Sequence, residues 1–275
     1  MKNIITAVLG ILLTFPIMGC DMNNDPSSLP AEQTETTTSV QAETTATDTT
    51  VTTPAPPLTA VDVEKDLLEK TIQDEDGTPL IEASMELPTL ITAVPYPAAD
   101  RINAYFKEQS DQWFNKLGSE TKAELQADRA LNSGNFPLYT TDFSFEVTYN
   151  KNGLLSVLQF EYINAGGAHP GILRQSHTFS LKTGELLELE SFLNGTSEEI
   201  HEQTAEGFRH MIAENPENYF ENAKDIVGHT PPDGFYLGED ALVFYYQTDV
   251  IAPYAAGYPQ FTIPYTETEK FKIAL

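Results

Sequence analysis

Between residues 143 and 149 apolar and polar positions alternate: Phe143, Phe145, Val147 and Tyr149 are separated by Ser144, Glu146 and Thr148. That is the period of a half-buried strand. Asn150-Lys151-Asn152-Gly153 follows as a turn, its Asn-Gly pair suited to positive φ, and Leu154 to Ile163 returns as the partner strand. A loop from Ala165 to Gly171 leads to a third strand, Gln175 to Leu181. The turn Lys182-Thr183-Gly184-Glu185 leads to a fourth, Leu186 to Leu189. The pattern predicts an antiparallel meander. Upstream, 79–94 is β-rich and ends at Pro95, an opening strand or strand pair. Downstream, Gly234–Leu237, Ala241–Gln247 and Gln260–Pro264 read as closing strands, the first two joined at Gly238-Glu239-Asp240.

Two stretches change period. From Ala98 to Leu131, Ile102, Phe106, Trp113 and Leu117 fall on one side at 3.6-residue spacing, with Tyr105 and Gln109 beside them. Trp113 therefore reads as core. Gly118-Ser119 is expected to divide this helix, with Ser119 capping its second part. Thr196 or Ser197 caps another helix running to about Ala213, with Glu198 and Glu199 at its positive end. A shorter helix follows Pro216. Strand runs interrupted by grouped helices, without strict βαβ alternation, predict an α+β fold with a mostly antiparallel sheet and two main helical segments. The pattern leaves open whether 79–135 forms a separate lobe, and no self-similar period marks a solenoid.

The N-terminus is different material. Lys2 precedes an apolar run from Ile4 to Ile17, too short for the roughly 20 residues of a spanning helix. It reads as the signal peptide of residues 1–20. Ile17-Met18-Gly19-Cys20 resembles a bacterial lipobox, in which the cysteine is diacylated and becomes the mature N-terminus. Two acyl chains suffice for stable anchoring, so the expected location is extracytoplasmic, on a bacterial membrane through lipidated Cys20. Residues 21–76 are expected to be a disordered, Thr-rich, acidic tether, because so polar a stretch cannot bury enough apolar surface to offset its chain entropy. The folded domain is then 77–275.

Composition narrows the partners. The 275 residues carry 41 acidic and 15 basic side chains, a formal charge of −26. Residues 77–275 alone hold 28 acids and 12 bases, or −16, so the acidity is not confined to the tether. Such a surface repels nucleic acid. A single cysteine excludes an intramolecular disulfide and a thiolate metal site.

Candidate chemistry is sparse. His169 lies in Ala165-Gly166-Gly167-Ala168-His169-Pro170-Gly171, where it serves as a contact or proton-handling residue or simply ties down a tight turn. His177, His201, His210 and His229 show neither HExxH nor HxxxH spacing, so no metal ligand set is expected. Asp74-Glu75-Asp76-Gly77 is too short for a calcium loop. Glu199, Glu202 and Glu206 form a solvated helix stripe. There is no nucleophile elbow, phosphate loop or dinucleotide fingerprint, and no cofactor is expected. The segment Tyr245 to Gly257 mixes tyrosines with small, turn-forming residues. It suits a recognition surface, or else Tyr245 and Tyr246 belong to a strand and Pro253-Tyr254 pins a loop.

Three segments in order carry a family resemblance: Tyr162-Ile163-Asn164-Ala165-Gly166-Gly167-Ala168-His169, Phe179-Ser180-Leu181-Lys182-Thr183-Gly184, and Phe235-Tyr236-Leu237 with Ile251-Ala252-Pro253-Tyr254-Ala255-Ala256-Gly257. Across roughly 79–267 the chain resembles the extracellular domain shared by RsiV-type anti-sigma factors and PdaC-type peptidoglycan deacetylases. In the former that domain binds lysozyme; in the latter it stands ahead of a separate catalytic domain. No sigma-binding segment, spanning helix or deacetylase domain is expected here. The resemblance therefore implies a non-catalytic envelope lipoprotein that binds a lysozyme-like muramidase or peptidoglycan. The alternative is a cell-wall glycan hydrolase or deacetylase-associated enzyme using Asp/Glu and His169. The expected contact residues are Gly166, Gly167, His169, Pro170, Pro253 and Tyr254.

Overall fold

The computed structural model describes residues 58–131, 137–167 and 169–275. Cys20, the expected signal peptide and the Thr-rich stretch up to residue 57 lie outside them. Among the described residues, eight strands form two sheets.

The larger sheet has five strands in sequential order: β1 (Asp62–Gln73), β2 (Pro79–Ile91), β3 (Tyr139–Lys151), β4 (Leu154–Asn164) and β5 (Gly171–Ser180). The expected meander is β3 to β5, antiparallel throughout. Its turn at Asn152 and Gly153 has φ of 57° and 77°, as the Asn-Gly pair requires. A register shift between Val147 and Tyr149 alters the predicted alternation. Phe143, Phe145 and Val147 face the helices, while Tyr149 crosses to the opposite core. One extra residue, Thr148, reverses the facing of everything after it.

β1 is a correction to the expected tether, which was to extend to residue 76. Residues 62–73 instead pair antiparallel with β2 along its whole length. Val61 and Ile72 are buried, and Asn150 clamps Val61 by accepting from its N–H at 3.0 Å and donating to its carbonyl at 2.6 Å. The charged residues of β1 sit at a sheet edge, where they deter strand addition.

α1 (Pro97–Lys116) and α2 (Lys122–Leu131) run between β2 and β3, so those two strands pair parallel, the outcome a helical crossover permits. Residues 79–131 are thereby tied into the one sheet and form no separate lobe. The expected break at Gly118-Ser119 is absent. Leu117–Thr121 is a π-helical turn that keeps the helix continuous, and the Ser119 hydroxyl donates back to the Asn115 carbonyl at 2.8 Å rather than capping a new start. Ile102 and Phe106 pack on Phe179, Leu155 and Val157. Trp113 and Leu117 pack with Phe143, Ile81 and Met85. Trp113 is core, as its spacing predicted.

The smaller sheet is β6 (Gly234–Leu237), β7 (Ala241–Tyr245) and β8 (Gln260–Pro264), fully antiparallel. The fourth meander strand reduces to a single bridge, Phe179 to Leu186. α3 (Ser197–Glu214) begins with a capping box between Thr196 and Glu199, and α4 (Ala223–His229) follows a 3-10 turn at Pro216–Asn218. Phe208, Ile200 and Ile212 of α3 pack on Leu242, Phe244, Tyr246 and Ile263.

Candidate functional site

The register of β4 and β5 decides what each residue faces. Ile163 pairs with Gly171, so the chain must reverse over residues 165–170 at the end of the large sheet. Gly166 makes this possible: its φ is +78°, and a Cβ there would lie 2.2 Å from Pro137 Cγ. Its N–H is held by Asn164 Oδ1 at 3.0 Å. Gly167 and His169 are exposed and Pro170 half-buried. His169 Nδ1 approaches the Pro170 carbonyl at 3.3 Å, so the imidazole partly braces its own loop.

The second loop leaves β7. Tyr245 and Tyr246 are fully buried, which assigns them to the strand and its continuation rather than to a recognition surface. The Tyr246 hydroxyl donates to the Thr230 carbonyl at 2.6 Å and that of Tyr245 to Ser176 at 3.2 Å. Burial pushes the Tyr245 phenol up to about 12. Beyond them Ile251 and Ala252 plug into the core, Asp249 Oδ1 accepts from the Tyr254 N–H at 2.7 Å, and residues 254–256 make one 3-10 turn. Pro253 is exposed and Tyr254 half-buried.

The two loops meet. The rings of His169 and Tyr254 stack with centroids 4.6 Å apart and planes 24° from parallel. Residues 85 positions apart in sequence thus share one surface feature. Around it the structure adds residues the sequence did not single out. The Tyr258 hydroxyl donates to the Ile172 carbonyl at 3.0 Å. Gln247 holds residue 174 from both sides, Oε1 accepting from its N–H at 2.9 Å and Nε2 donating to its carbonyl at 2.7 Å. A side-chain amide thereby takes the place of the missing neighbour at the edge of β5. Gln247 is itself fixed, its own N–H donating to Asp233 at 2.7 Å. The Arg174 guanidinium lies 3.7 Å from the Tyr258 ring centroid. Burial pushes the Tyr258 phenol up to about 12, with Arg174 opposing and Tyr254 adding to that rise.

The other candidates stay apart. His177 is buried under α1, its Nδ1 3.1 Å from the Tyr105 hydroxyl, and desolvation depresses it to about 4. His210 and His229 are exposed on α3 and α4. Among the described residues no group of His, Cys, Asp or Glu has metal-binding geometry. Asp74 is engaged by Gln126 at 2.7 Å and Arg129 at 2.9 Å, a structural role. Glu161 is buried beneath Trp113, whose Nε1 donates to it at 2.8 Å, and burial raises its carboxyl.

The sequence matches two family models in succession: "Deacetylase PdaC" over residues 75–171 and "Protein of unknown function (DUF3298)" over 189–266. No curated protein matches the chain. Two solved structures share the fold. One is a DUF3298 member from Bacteroides fragilis, 18% identical, with a TM-score of 0.60 over 80% of this chain and 96% of that one. The other is a DUF3298 protein from Pseudomonas aeruginosa, also 18% identical, with a TM-score of 0.53 over 77% of this chain and 94% of that one. The first match spans β2 through the His169 loop and the second spans α3 through the Tyr254 loop to β8, so the stacked pair joins the two. The chain thus carries a PdaC-like part followed by a DUF3298-like part, and its fold is similar to that of DUF3298 proteins.

Proposed function

We propose that this domain is a non-catalytic binding module of the bacterial envelope, tethered through lipidated Cys20, with a lysozyme-like muramidase or peptidoglycan as its ligand. The observation that carries this reading is the His169–Tyr254 stack. It offers aromatic surface on two anchored loops, and its members are held by contacts that leave the loop tips exposed. Aromatic side chains on preordered loops give contact area at low entropy cost. The acidity of residues 77–275 agrees with a basic protein partner, whose encounter it would accelerate.

Pull-down of the full chain against lysozyme and purified sacculi in parallel tests the reading. Retention by one of the two, lost in His169→Ala and Tyr254→Ala variants that fold normally, supports it. Retention unaffected by both substitutions removes the loop pair from the site. Release of glycan fragments or acetyl groups would replace binding with catalysis.

A further inference from the structure

The two ends of the large sheet, β1 and β5, are finished differently. At β5, Gln247 supplies a side-chain amide to the backbone of residue 174. At β1, among the described residues, no strand pairs with the outer edge, and 12 residues of extended backbone stand there. On this strand Leu67 is 62% exposed, set among residues that are mostly charged.

The charges of β1 are ordered about Leu67. Two residues to either side stand Lys65 and Glu69, and three residues to either side stand Glu64 and Lys70. All four side chains are exposed. A strand in this order is complementary to itself run in the opposite direction. Two copies related by a two-fold axis at Leu67 set Lys65 opposite Glu69 and Glu64 opposite Lys70, each pair formed twice, with Leu67 against its own copy. Directly opposed residues share a face, so the Lys65–Glu69 pairs flank the leucines on one face and the Glu64–Lys70 pairs lie on the other. From Asp62 to Ile72 no like charges are opposed.

Other registers do worse. Opposed residues in an antiparallel pair both turn their backbone groups toward the partner strand or both turn them away, so the axis must pass through a residue. Centred on Lys65, Asp66 or Glu69, it sets that charge against itself. Centred on Leu68, it keeps only Asp66 opposite Lys70 and leaves Lys65 facing Thr71. Charges along an edge deter most strands from adding; in this order they admit one partner and reject the rest.

We propose that β1 is the contact between two copies of this chain, which add edge to edge, antiparallel about Leu67, so that their five-stranded sheets become one continuous sheet. The contact is isologous, each copy presenting the same patch. It lies at the opposite edge of the sheet from β5, which the His169 loop enters, so it is independent of what the loops bind.

The test is cysteine cross-linking of the full chain in bacterial cells, with Asp66, Leu67, Leu68 and Glu69 replaced by cysteine one at a time. The unsubstituted chain measures any background from Cys20. Opposed Cα atoms lie roughly 4.5–5.5 Å apart, within reach of a disulfide. Under mild oxidation Leu67→Cys should give a disulfide-linked dimer about fivefold or more above the other three positions and the background. Adding Glu64→Lys or Lys70→Glu to Leu67→Cys opposes like charges and should lower that yield about fivefold. Both together exchange the pair and should restore the yield to within about twofold. No cross-link above background at Leu67→Cys, equal yields at all four positions or a maximum at another one overturns the proposal, as does a double exchange that fails to restore it. Sedimentation of the unsubstituted full chain in density-matched detergent needs no variant: a dimer is expected, and a monomer throughout overturns the proposal as well.

Discussion

The two sheets are built from different interiors. Eight of the nine buried polar or charged side chains among the described residues lie between Ser110 and Thr178, in the large sheet and its helices; only Thr204 lies in the second part. The core around α3 and the small sheet is apolar but for Thr204 among the described residues, and Tyr246 and Tyr265 turn their hydroxyls onto the backbone carbonyls of Thr230 and Gly238. The first part therefore depends on matched polar partners under a helix, and its stability must respond to pH. The second is held mainly by shape, with Asp233 its one carboxyl raised by burial among the described residues, and its stability should respond less. The loops meet where these two constructions touch, so the stack needs both.

Truncating the apolar core should have the largest effect. Phe208 is fully buried and packs edge-on against Tyr246, with centroids 4.9 Å apart. Phe208→Ala should cost about 3–5 kcal/mol, the range for buried aromatics. Denaturant unfolding at pH 5 and pH 7 should give the same loss at both. A loss that differs strongly between them would break the comparison.

Next comes His177 in the first part. Burial holds it near 4 in the folded protein, against about 6.5 in an unfolded chain. The unfolded state thus binds the extra proton between those values, and stability is lost as pH falls from about 6.5 to about 4. The full loss is about 3 kcal/mol. Glu161 acts with the opposite sign: its raised carboxyl favours the folded state while protonated, and stability is lost as pH rises through that value. Stability curves from pH 4 to 7 for His177→Phe and Glu161→Gln separate the two. The first should lose the rise with pH, and the second should steepen it. If His177→Phe kept the rise, the histidine would not be its source.

A smaller effect is expected at the entrance to α3. Thr196 accepts from the Glu199 N–H at 3.2 Å while Glu199 returns a bond to the Thr196 N–H at 2.8 Å. Thr196→Ala should cost about 1 kcal/mol, measured by thermal unfolding. A loss several times larger would mean that the cap positions the whole second part.

What the sequence made legible follows the same division. α3, its cap and the three short strands were visible because each is an apolar stripe or a short apolar run bounded by clear turn residues. β1 was not: its charged residues lie on an edge strand, and a strand whose one buried residue is Ile72, with Val61 just before it, reads like a polar linker. The parallel β2–β3 pair was hidden because pairing partners are chosen across a helix, beyond any local period. The reversal of Tyr149 needed a single bulged residue. At the site, Gly166 and Asn152–Gly153 announced their backbone conformations, and the His169 and Tyr254 loops stood out by composition. Arg174 did not, since a lone arginine in Ile172-Leu173-Arg174-Gln175 gives no sign that it stacks on Tyr258; that contact exists only once β5, Tyr258 and Gln247 are assembled.

The smallest stability change is expected at Tyr254. If it anchored the second core, truncation would cost ~3 kcal/mol or more. Its neighbours argue otherwise: Ile251 and Ala252 provide the burial, and the loop is fastened through the Tyr254 backbone N–H to Asp249, a bond that alanine retains. The ring's own contact is the stack on His169, and aromatic pairs contribute about 0.5–1.5 kcal/mol beyond their area burial. At a half-exposed position the lower end applies, so Tyr254→Ala and His169→Ala should each destabilise by under about 1 kcal/mol. Because they share one contact, the double substitution should cost little more than either alone. Thermal unfolding of the three variants measures this. An early-melting Tyr254→Ala would make the ring part of the second core, whereas full additivity would mean that the stack contributes nothing and that each loop is held by its own part alone.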